Sequence, residues 1–238
     1  VKSLEGKEWG HVFHAKRDRE PGWRRAVFTQ SMRVGRKGFP LFEKPVQSGE
    51  VLKKPSGDAA EAIFSKESFD YFGHHQYLST DGQSIRLGKV PDSPINEYRS
   101  GEKVIFTGTV AKNFKAEVSI DFLGNAQARD AGILFRTTGA SVGYDSQRGY
   151  FAGLIPHTQL VILGKTDGRR WQELARAKTT LAAEHAQQLA VQIQGDRITV
   201  WHNGTPKIQH TDGTYDRGAI GLRVVNTEAV FSGLHFDD

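Results

Sequence analysis

The chain has 238 residues, of which 37% are hydrophobic and 10% aromatic, enough for one large all-β domain or two smaller units. It contains no cysteine, so neither a disulfide nor a thiolate metal site can form. Its mean hydropathy of −0.50 and the lack of a long apolar run exclude a transmembrane helix, and we expect no membrane partner.

The net charge of +5 is concentrated at the front of the chain. Residues 1–54 contain thirteen Lys and Arg against six Asp and Glu, so the remainder is slightly acidic. The basic residues flank turns and alternate with apolar ones, a pattern typical of solvated strand and turn faces. We therefore expect no nucleic-acid partner.

The first segment, residues 1–54, predicts a small antiparallel hairpin. Residues 11–14 form a short half-apolar run, residues 25–34 alternate between two faces, and Pro21-Gly22 supplies a turn between them. This segment is too small to close a core alone. Residues 55–59, which include Pro55-Ser56-Gly57, are interpreted as a linker.

Residues 60–238 read as a series of short strands. Alternation in 116–122 predicts a half-buried strand, and Gly195-Asp196 and Asn203-Gly204 predict two-residue hairpin loops. The segment 173–188 has high helix propensity, but the strand pattern that follows favours strand, loop and turn. Many short strands with Gly-rich turns predict an all-β, two-sheet sandwich.

The front segment resembles the last blade of the five-bladed β-propeller of glycoside hydrolase family 43. The resemblance is carried by residues 11–16, 22–30 and 38–40, with Lys37 where the family has Asp. It implies that the chain is the C-terminal part of a longer enzyme, with an upstream catalytic propeller as a domain or separate chain. The family's catalytic carboxylates lie on earlier blades, and no residue of 1–54 matches them.

The rest of the chain resembles concanavalin-like (jelly-roll) sandwich modules, especially carbohydrate-binding module family 66. The matching stretches include residues 130–136, 149–154, 195–201 and 218–223. The resemblance implies a two-sheet β-sandwich that binds carbohydrate, from a plant or microbial polysaccharide.

Sugar recognition needs planar polar groups for vicinal hydroxyls and an aromatic face for the ring. Arg136 ends an apolar strand, where its fork would suit two hydroxyl oxygens, and Tyr144, Asp145 and Tyr150 follow it closely. In the alternative reading, Arg136 forms a framework ion pair with Asp130 or Asp145, and the tyrosines pack.

Further candidate sugar-binding residues are His157, Trp171 and Glu228, and Trp201 is a second aromatic platform that packing would equally explain. Asp237 and Asp238 are the predicted donors of a structural Ca²⁺ site, because related modules often bind calcium near their terminal strands. No other cofactor is expected.

Together these features predict the C-terminal portion of a secreted or periplasmic, polysaccharide-degrading glycosidase of arabinofuranosidase or xylosidase type. Its sandwich would bind glycan or support the propeller, and the chain alone would lack the catalytic carboxylates. Two alternatives stay open: a structural sandwich that binds no sugar, and a sandwich-fold glycoside hydrolase acting alone. The latter would need two carboxylates on one cleft, for which Glu117 and Asp121 share a strand face.

Overall fold

A computed structural model describes the strand backbone of residues 9–16, 25–34, 40–42 and 46–47, and residues 64–237 except 67, 75–76, 90–100, 124–128 and 183–184. The chain divides into two compact units, Val1–Leu52 and Lys53–Asp238. Each is described by itself below.

The first unit contains a four-stranded antiparallel sheet made of β1 (Trp9–Lys16), β2 (Arg25–Val34), β3 (Pro40–Phe42) and β4 (Val46–Gln47). Strand β2 pairs with each of the other three. Its pairing with β1 confirms the predicted hairpin.

The described residues of the second unit contain fourteen strands. They are β5 (Phe69–Phe72), β6 (Leu78–Thr80), β7 (Ser84–Gly88), β8 (Gly101–Phe106), β9 (Phe114–Phe122), β10 (Asp130–Thr138), β11 (Arg148–Ile155), β12 (Leu160–Asp167), β13 (Trp171–Lys178), β14 (Gln187–Gln194), β15 (Arg197–His202), β16 (Thr205–Thr211), β17 (Ala219–Val225) and β18 (Glu228–Asp237).

These strands form two seven-stranded antiparallel sheets. The front sheet has the order β13-β12-β11-β10-β17-β8-β5, and the back sheet has the order β16-β15-β14-β9-β18-β7-β6. Each sheet joins a run of consecutive strands, β10 to β13 or β14 to β16, to strands from distant parts of the chain. The predicted all-β, concanavalin-like sandwich is confirmed.

Strand alternation explains the two layers. In β9, Ala116, Val118 and Ile120 are fully buried, whereas Lys115, which precedes Ala116, is exposed. Side chains at every second position therefore face the core. The β15–β16 turn at Asn203-Gly204 has φ of 48° and 73°, as a two-residue turn with two left-handed positions requires.

One core fills the space between the sheets, as the alternation predicts. Phe135 of β10 stacks on Tyr150 of β11 with ring centroids 5.3 Å apart. The back sheet contributes buried aliphatic residues to the same core, among them Val118, Ile120, Leu189, Val191, Ile198 and Val200. Because the core lies between the two sheets, each sheet turns its other face outward.

The helix-like segment 173–188 forms the second part of β13, a loop and the start of β14, so the prediction of strand and loop is confirmed. Over the described residues, helical structure is limited to 3-10 geometry, at Pro156–Thr158 and at Tyr77. Within that same part of the chain, no helical segment has the length and apolar character that spanning a bilayer requires.

Candidate functional site

The candidate site lies on the outer face of the front sheet. Ile133 and Phe135 of β10 point into the core, so Gly132 and Leu134 face away from it. In the antiparallel register, Gly132 is paired with Arg223 of β17. The guanidinium of Arg223 therefore belongs to the outer face, in the middle of the sheet.

A cleft of about 730 Å³ covers this part of the face. Its floor comes from β10, β11, β12 and β17, and its rim comes from edge strand β13, the loop 139–147 and the 3-10 turn. We call it the front-sheet cleft. The side chains that matter for its chemistry are Asp130, Tyr144, Asp145, His157, Trp171 and Arg223.

Arg223 connects the floor of the cleft to its rim. Its Nη2 donates to Asp130 Oδ1 at 3.1 Å, and its Nη1 donates to Asp145 Oδ1 and the Tyr144 carbonyl, each at 3.2 Å. The guanidinium carbon also lies 3.7 Å from the ring centroid of Phe151. The side chain is only 4% exposed, so these partners replace water around the charge.

Burial raises the pKa of both aspartates that bind Arg223. For Asp130 and for Asp145, desolvation of the carboxylate outweighs the attraction of the guanidinium. Repulsion between the two carboxylates adds to the effect at Asp145. The cleft therefore holds two carboxyl groups that accept a proton more readily than solvated aspartates do.

Lys103 lies beside Arg223 in the sheet, on β8. Burial, and then the neighbouring guanidinium, hold the pKa of its ammonium well below the ordinary value. Its Nζ donates to the Gly143 carbonyl at 2.6 Å and to the Gln147 side chain. Lys103 thereby fastens the loop 139–147 to the sheet.

Glycine at position 101 allows this loop to lie directly on β8. A Cβ at Gly101 would come within 2.4 Å of the Tyr144 Cα. The Ser141 N–H also donates to the Ser146 carbonyl at 2.8 Å within the loop. The contacts hold Tyr144, 37% exposed, at the rim of the cleft.

Trp171 lines the other side of the cleft and packs on the buried ring of Phe151. Phe151 and Trp171 meet edge to face with ring centroids 6.1 Å apart. Trp171 crosses Gly164 of β12, where a Cβ would lie 2.4 Å from the indole ring. A half-buried indole next to buried charges offers an apolar face and hydrogen-bonding groups within one cleft.

The rim carries further polar groups. His157 lies on the 3-10 turn, and Glu173 and Arg176 of β13 form an ion pair through two hydrogen bonds of 2.5 and 2.8 Å. The cleft is lined by Arg129, Arg176 and Arg223, and by Asp130, Asp145 and Glu173, so its formal charges balance.

A family model for the 3-keto-alpha-glucoside-1,2-lyase-like domain matches residues 60–236. The match covers nearly all of the sandwich and most of the chain. The chain belongs to this family. No curated protein sequence matches the chain.

Solved structures show where else this sandwich fold occurs. The carbohydrate-binding module CBM66 from Bacillus subtilis is similar at 16% identity, 72% of this chain and 96% of the module, with a TM-score of 0.60. A xylan β-1,4-xylosidase from Bacillus halodurans is similar at 14% identity and a TM-score of 0.53, over 100% of this chain and 52% of the enzyme.

The glycoside hydrolase family 43 protein BlXynB from Bacillus licheniformis is similar at 14% identity, with a TM-score of 0.50, over 99% of this chain and 52% of that protein. The chain thus spans about half the length of these two larger proteins. At such identities the likeness concerns the fold.

Four of the predicted site residues of this lyase-like domain come together in the front-sheet cleft: Tyr144, Asp145, His157 and Trp171. They come from a loop, a 3-10 turn and an edge strand. In the antiparallel strands β10 to β13, the loop 139–147 and Trp171 lie at one end and the 3-10 turn lies at the other, so these residues meet across the outer face of the sheet.

Arg136 does not line the cleft, so the prediction that it contacts sugar there is wrong. Its guanidinium is buried and donates to the carbonyls of Lys112, Gly195 and Tyr215 at 2.6 to 2.7 Å. The register of β10 shifts between Leu134 and Thr137, so the alternation that would face residue 136 outward is broken.

Tyr150 is also removed from the cleft. It faces the core and is fully buried, and its hydroxyl donates to Asp212 Oδ1 at 2.7 Å. The same hydroxyl accepts a hydrogen bond from the Tyr215 N–H at 3.1 Å. Burial raises the pKa of Tyr150, and its role is to hold the loop after β16.

Glu228 lies in the back sheet, at the start of β18, where it forms an ion pair with Arg86. The geometry therefore places this predicted sugar-binding residue outside the cleft. Two residues that the alternation did not single out, Arg223 and Lys103, are central to it instead. Their signal in the sequence is a charge in the middle of an apolar strand, as in residues 219–225.

The predicted calcium site has no support in the described residues, because no group of three His, Asp or Glu there could hold a metal ion. Asp237 instead lies 2.8 Å from His235 Nε2. Asp238 lies outside the described residues. The fit is poor, so no chemistry is derived through calcium.

Proposed function

We propose that the front-sheet cleft binds a neutral carbohydrate. The observation that carries this proposal is the arrangement of Arg223: a buried guanidinium, fixed by two carboxylates and lying on the Phe151 ring, beneath an open cleft that Trp171 lines. Groups of this kind hydrogen-bond to vicinal hydroxyls while an aromatic face covers the apolar side of a sugar ring.

Charge supports a neutral ligand. The three arginines that line the cleft are balanced by three acidic residues, and Arg176 and Arg223 are each paired with them. An anionic sugar would have to compete with these carboxylates. A neutral pyranose or furanose needs no such exchange, and accepts and donates hydrogen bonds with both partners of each pair.

We further propose that this binding holds a larger polysaccharide-degrading enzyme on its substrate. The similarity in fold to a carbohydrate-binding module, and to proteins twice as long that include a xylosidase, supports this role. Under the same proposal the protein acts outside the cytoplasm, where polysaccharides occur, and an upstream catalytic propeller supplies the hydrolytic carboxylates.

The test is affinity electrophoresis of the chain in gels that contain xylan, arabinan, mannan or levan. We expect retardation by at least one of them, and weaker retardation of Trp171→Ala and Tyr144→Ala. Val142→Ala is the matched control, since Val142 is 58% exposed on the same loop and does not line the cleft. Wild-type migration unaffected by all four glycans, or retardation that neither cleft substitution weakens, refutes the proposal.

A second candidate function follows from the family's name: elimination in a 3-keto-α-glucoside. In this reaction a base removes the proton at C2, which the C3 carbonyl acidifies. The bond between C1 and the glycosidic oxygen then breaks, and the leaving oxygen takes up a proton. The observation that favours it is the pair of aspartates with raised pKa, since a base titrating closer to neutrality is the better catalyst.

Asp145 is the better base of the two, because its carboxylate is 16% exposed at the rim whereas that of Asp130 is buried deeper, at 10%. Arg223 would stabilise the enolate oxygen. The assay is release of the alcohol from a 3-keto-α-glucoside by the purified chain. Activity that Asp145→Asn abolishes establishes the lyase function, and equal turnover by wild type and variant removes Asp145 from it.

A further inference from the structure

The outer face of the back sheet has a second concavity. Ala190 of β14 pairs with Trp201 of β15 on one side and with Glu117 of β9 on the other. All three lie opposite the core positions of their strands. The methyl group of Ala190 is too small to fill the space between its two larger neighbours, so the row forms a depression.

Amide side chains flank this depression along β14. Gln188 and Gln192 are two residues before and after Ala190, and so share its face. Lys115 is the partner of Gln192 on β9. Together with Gly204 of the β15–β16 turn these residues enclose about 370 Å³, which we call the back-sheet groove.

The charges of the groove cancel. Lys115 Nζ lies 3.5 Å from Glu117 Oε2, and the remaining polar lining consists of amides. A groove without net charge attracts neither a polyanion nor a cation. Its amides can each donate to and accept from hydroxyl groups, and the half-buried indole of Trp201 provides an apolar plane beside them.

We propose that the back-sheet groove is a second binding site for neutral polysaccharide, independent of the front-sheet cleft. An indole plane beside two amides on a strand face matches a sugar ring, with C–H bonds on one face and hydroxyls at its edge. A chain of sugar residues can extend along β14, because Gln188 and Gln192 continue the polar lining in both directions.

Two sites on opposite outer faces of one sandwich have a consequence for binding. The chain would engage two glycan segments at once, and its avidity for a polymer would exceed the affinity of either site for a short oligosaccharide. An isolated oligosaccharide would instead report the sites separately, with a stoichiometry of two.

The experiment compares the whole chain with Trp201→Ala, Trp171→Ala and the double variant. The same four neutral polysaccharides serve as probes in affinity electrophoresis, with polygalacturonate as an acidic comparison. We expect Trp201→Ala to weaken retardation by a neutral glycan about five- to tenfold, the loss typical of one aromatic contact. Trp201→Phe, which keeps an aromatic plane, restores most of it.

Gln209→Ala is the matched control, because Gln209 is an exposed polar residue of the same sheet that does not line the groove. Gln192→Ala is the second variant should Trp201→Ala unfold the protein, which its thermal melt reveals. Titration calorimetry with a hexasaccharide of the retarding glycan should give two sites for wild type and one for each single Trp variant.

Equal retardation of wild type and Trp201→Ala, or a stoichiometry of one that only Trp171→Ala abolishes, overturns the proposal while leaving the front-sheet cleft intact. If Trp201→Ala loses all glycan binding while Trp171→Ala keeps it, glycan binding in the front-sheet cleft is refuted and binding in the back-sheet groove is supported. Binding of polygalacturonate alone, absence of binding to every glycan, or a dimer in sedimentation velocity that Trp201→Ala disrupts without any effect on glycan also overturns it.

Discussion

Two buried arginines of the sandwich have opposite surroundings. Arg136 donates only to backbone carbonyls, those of Lys112, Gly195 and Tyr215, and joins three loops at one end of the sandwich. Arg223 donates to two carboxylates and lies on a phenyl ring beneath an open cleft. Carbonyls cannot change charge, whereas carboxylates can.

The partners of each guanidinium separate a structural charge from a candidate functional one. A guanidinium surrounded by carbonyls can only hold those carbonyls in place. A guanidinium bound to carboxylates with raised pKa belongs to a group of charges that can rearrange when a ligand enters. The three predictions below test this division, in order of expected effect.

The largest effect is expected for Arg136→Met. The substitution leaves three carbonyls without their charged donor in a buried site, and none of them can be neutralised by a proton. We expect the free energy of unfolding to fall by about 4 kcal/mol. Urea denaturation monitored by circular dichroism measures this free energy. The folded variant should retain glycan binding in the cleft.

Arg148→Met is the matched control, because Arg148 is an exposed arginine whose one hydrogen bond, to the Asp167 carbonyl, is long at 3.4 Å. It should unfold at the urea concentration of wild type. A loss of glycan binding by folded Arg136→Met would break the division between the two arginines, since that residue lies outside the cleft.

Arg223→Met should have a smaller effect on stability and a complete effect on cleft binding. The substitution leaves Asp130 and Asp145 without their cation, but both can take up protons, which limits the loss at neutral pH to about 3 kcal/mol. The loss should shrink towards pH 4. Urea denaturation at several pH values and affinity electrophoresis measure the two effects.

Arg176→Met controls for the removal of any arginine from the cleft. Arg176 and its partner Glu173 are both exposed at the rim, so stability should stay that of wild type. Glycan binding by Arg223→Met equal to that of wild type would mean that the guanidinium serves the fold alone, as Arg136 does.

Much of the fold could be predicted because its signals are local. Alternation such as that of Ala116, Val118 and Ile120 depends only on neighbouring residues, and the Asn203-Gly204 turn is specified by two residues with left-handed φ. Segment 173–188 was the test case, since its propensity favours helix. In the folded sheets, β13 pairs with β12, and β14 pairs with β9 and β15. This pairing overrides the helix propensity of the segment.

The site was less predictable because its central interaction is not local. Asp130 and Arg223 are separated by 93 residues, and only the order of the strands brings them together. The sequence allows a pair between Asp130 or Asp145 and an arginine, but it points to Arg136 as that arginine. The register shift in β10 turns Arg136 away, with φ of 47°, and no residue type in 134–137 announces that shift.

The smallest effect concerns the pH dependence of stability. Burial raises the pKa of Asp130 above its ordinary value of 3.8, although Arg223, Arg129 and His157 act against this. Between the two values the folded state holds a proton that the unfolded state has lost. The free energy of unfolding must therefore fall as pH rises through this window, by about 1.4 kcal/mol for each unit of pKa difference.

Asp130→Asn removes this titration, so its stability should fall less steeply above pH 4 than that of wild type, with a smaller slope remaining from Asp145.

Asp81→Asn is the control with the opposite sign. Backbone N–H groups of Ser84 and Gln83 lower the pKa of Asp81, so its contribution is present above the ordinary pKa and is lost as pH falls. Urea denaturation from pH 2 to 8 compares the three proteins. Wild-type stability that rises with pH in a way Asp130→Asn abolishes would mean that Arg223 outweighs burial. The carboxylate would then be as fixed in its charge as the carbonyls around Arg136, and the two arginines would differ in their partners but not in what those partners can do.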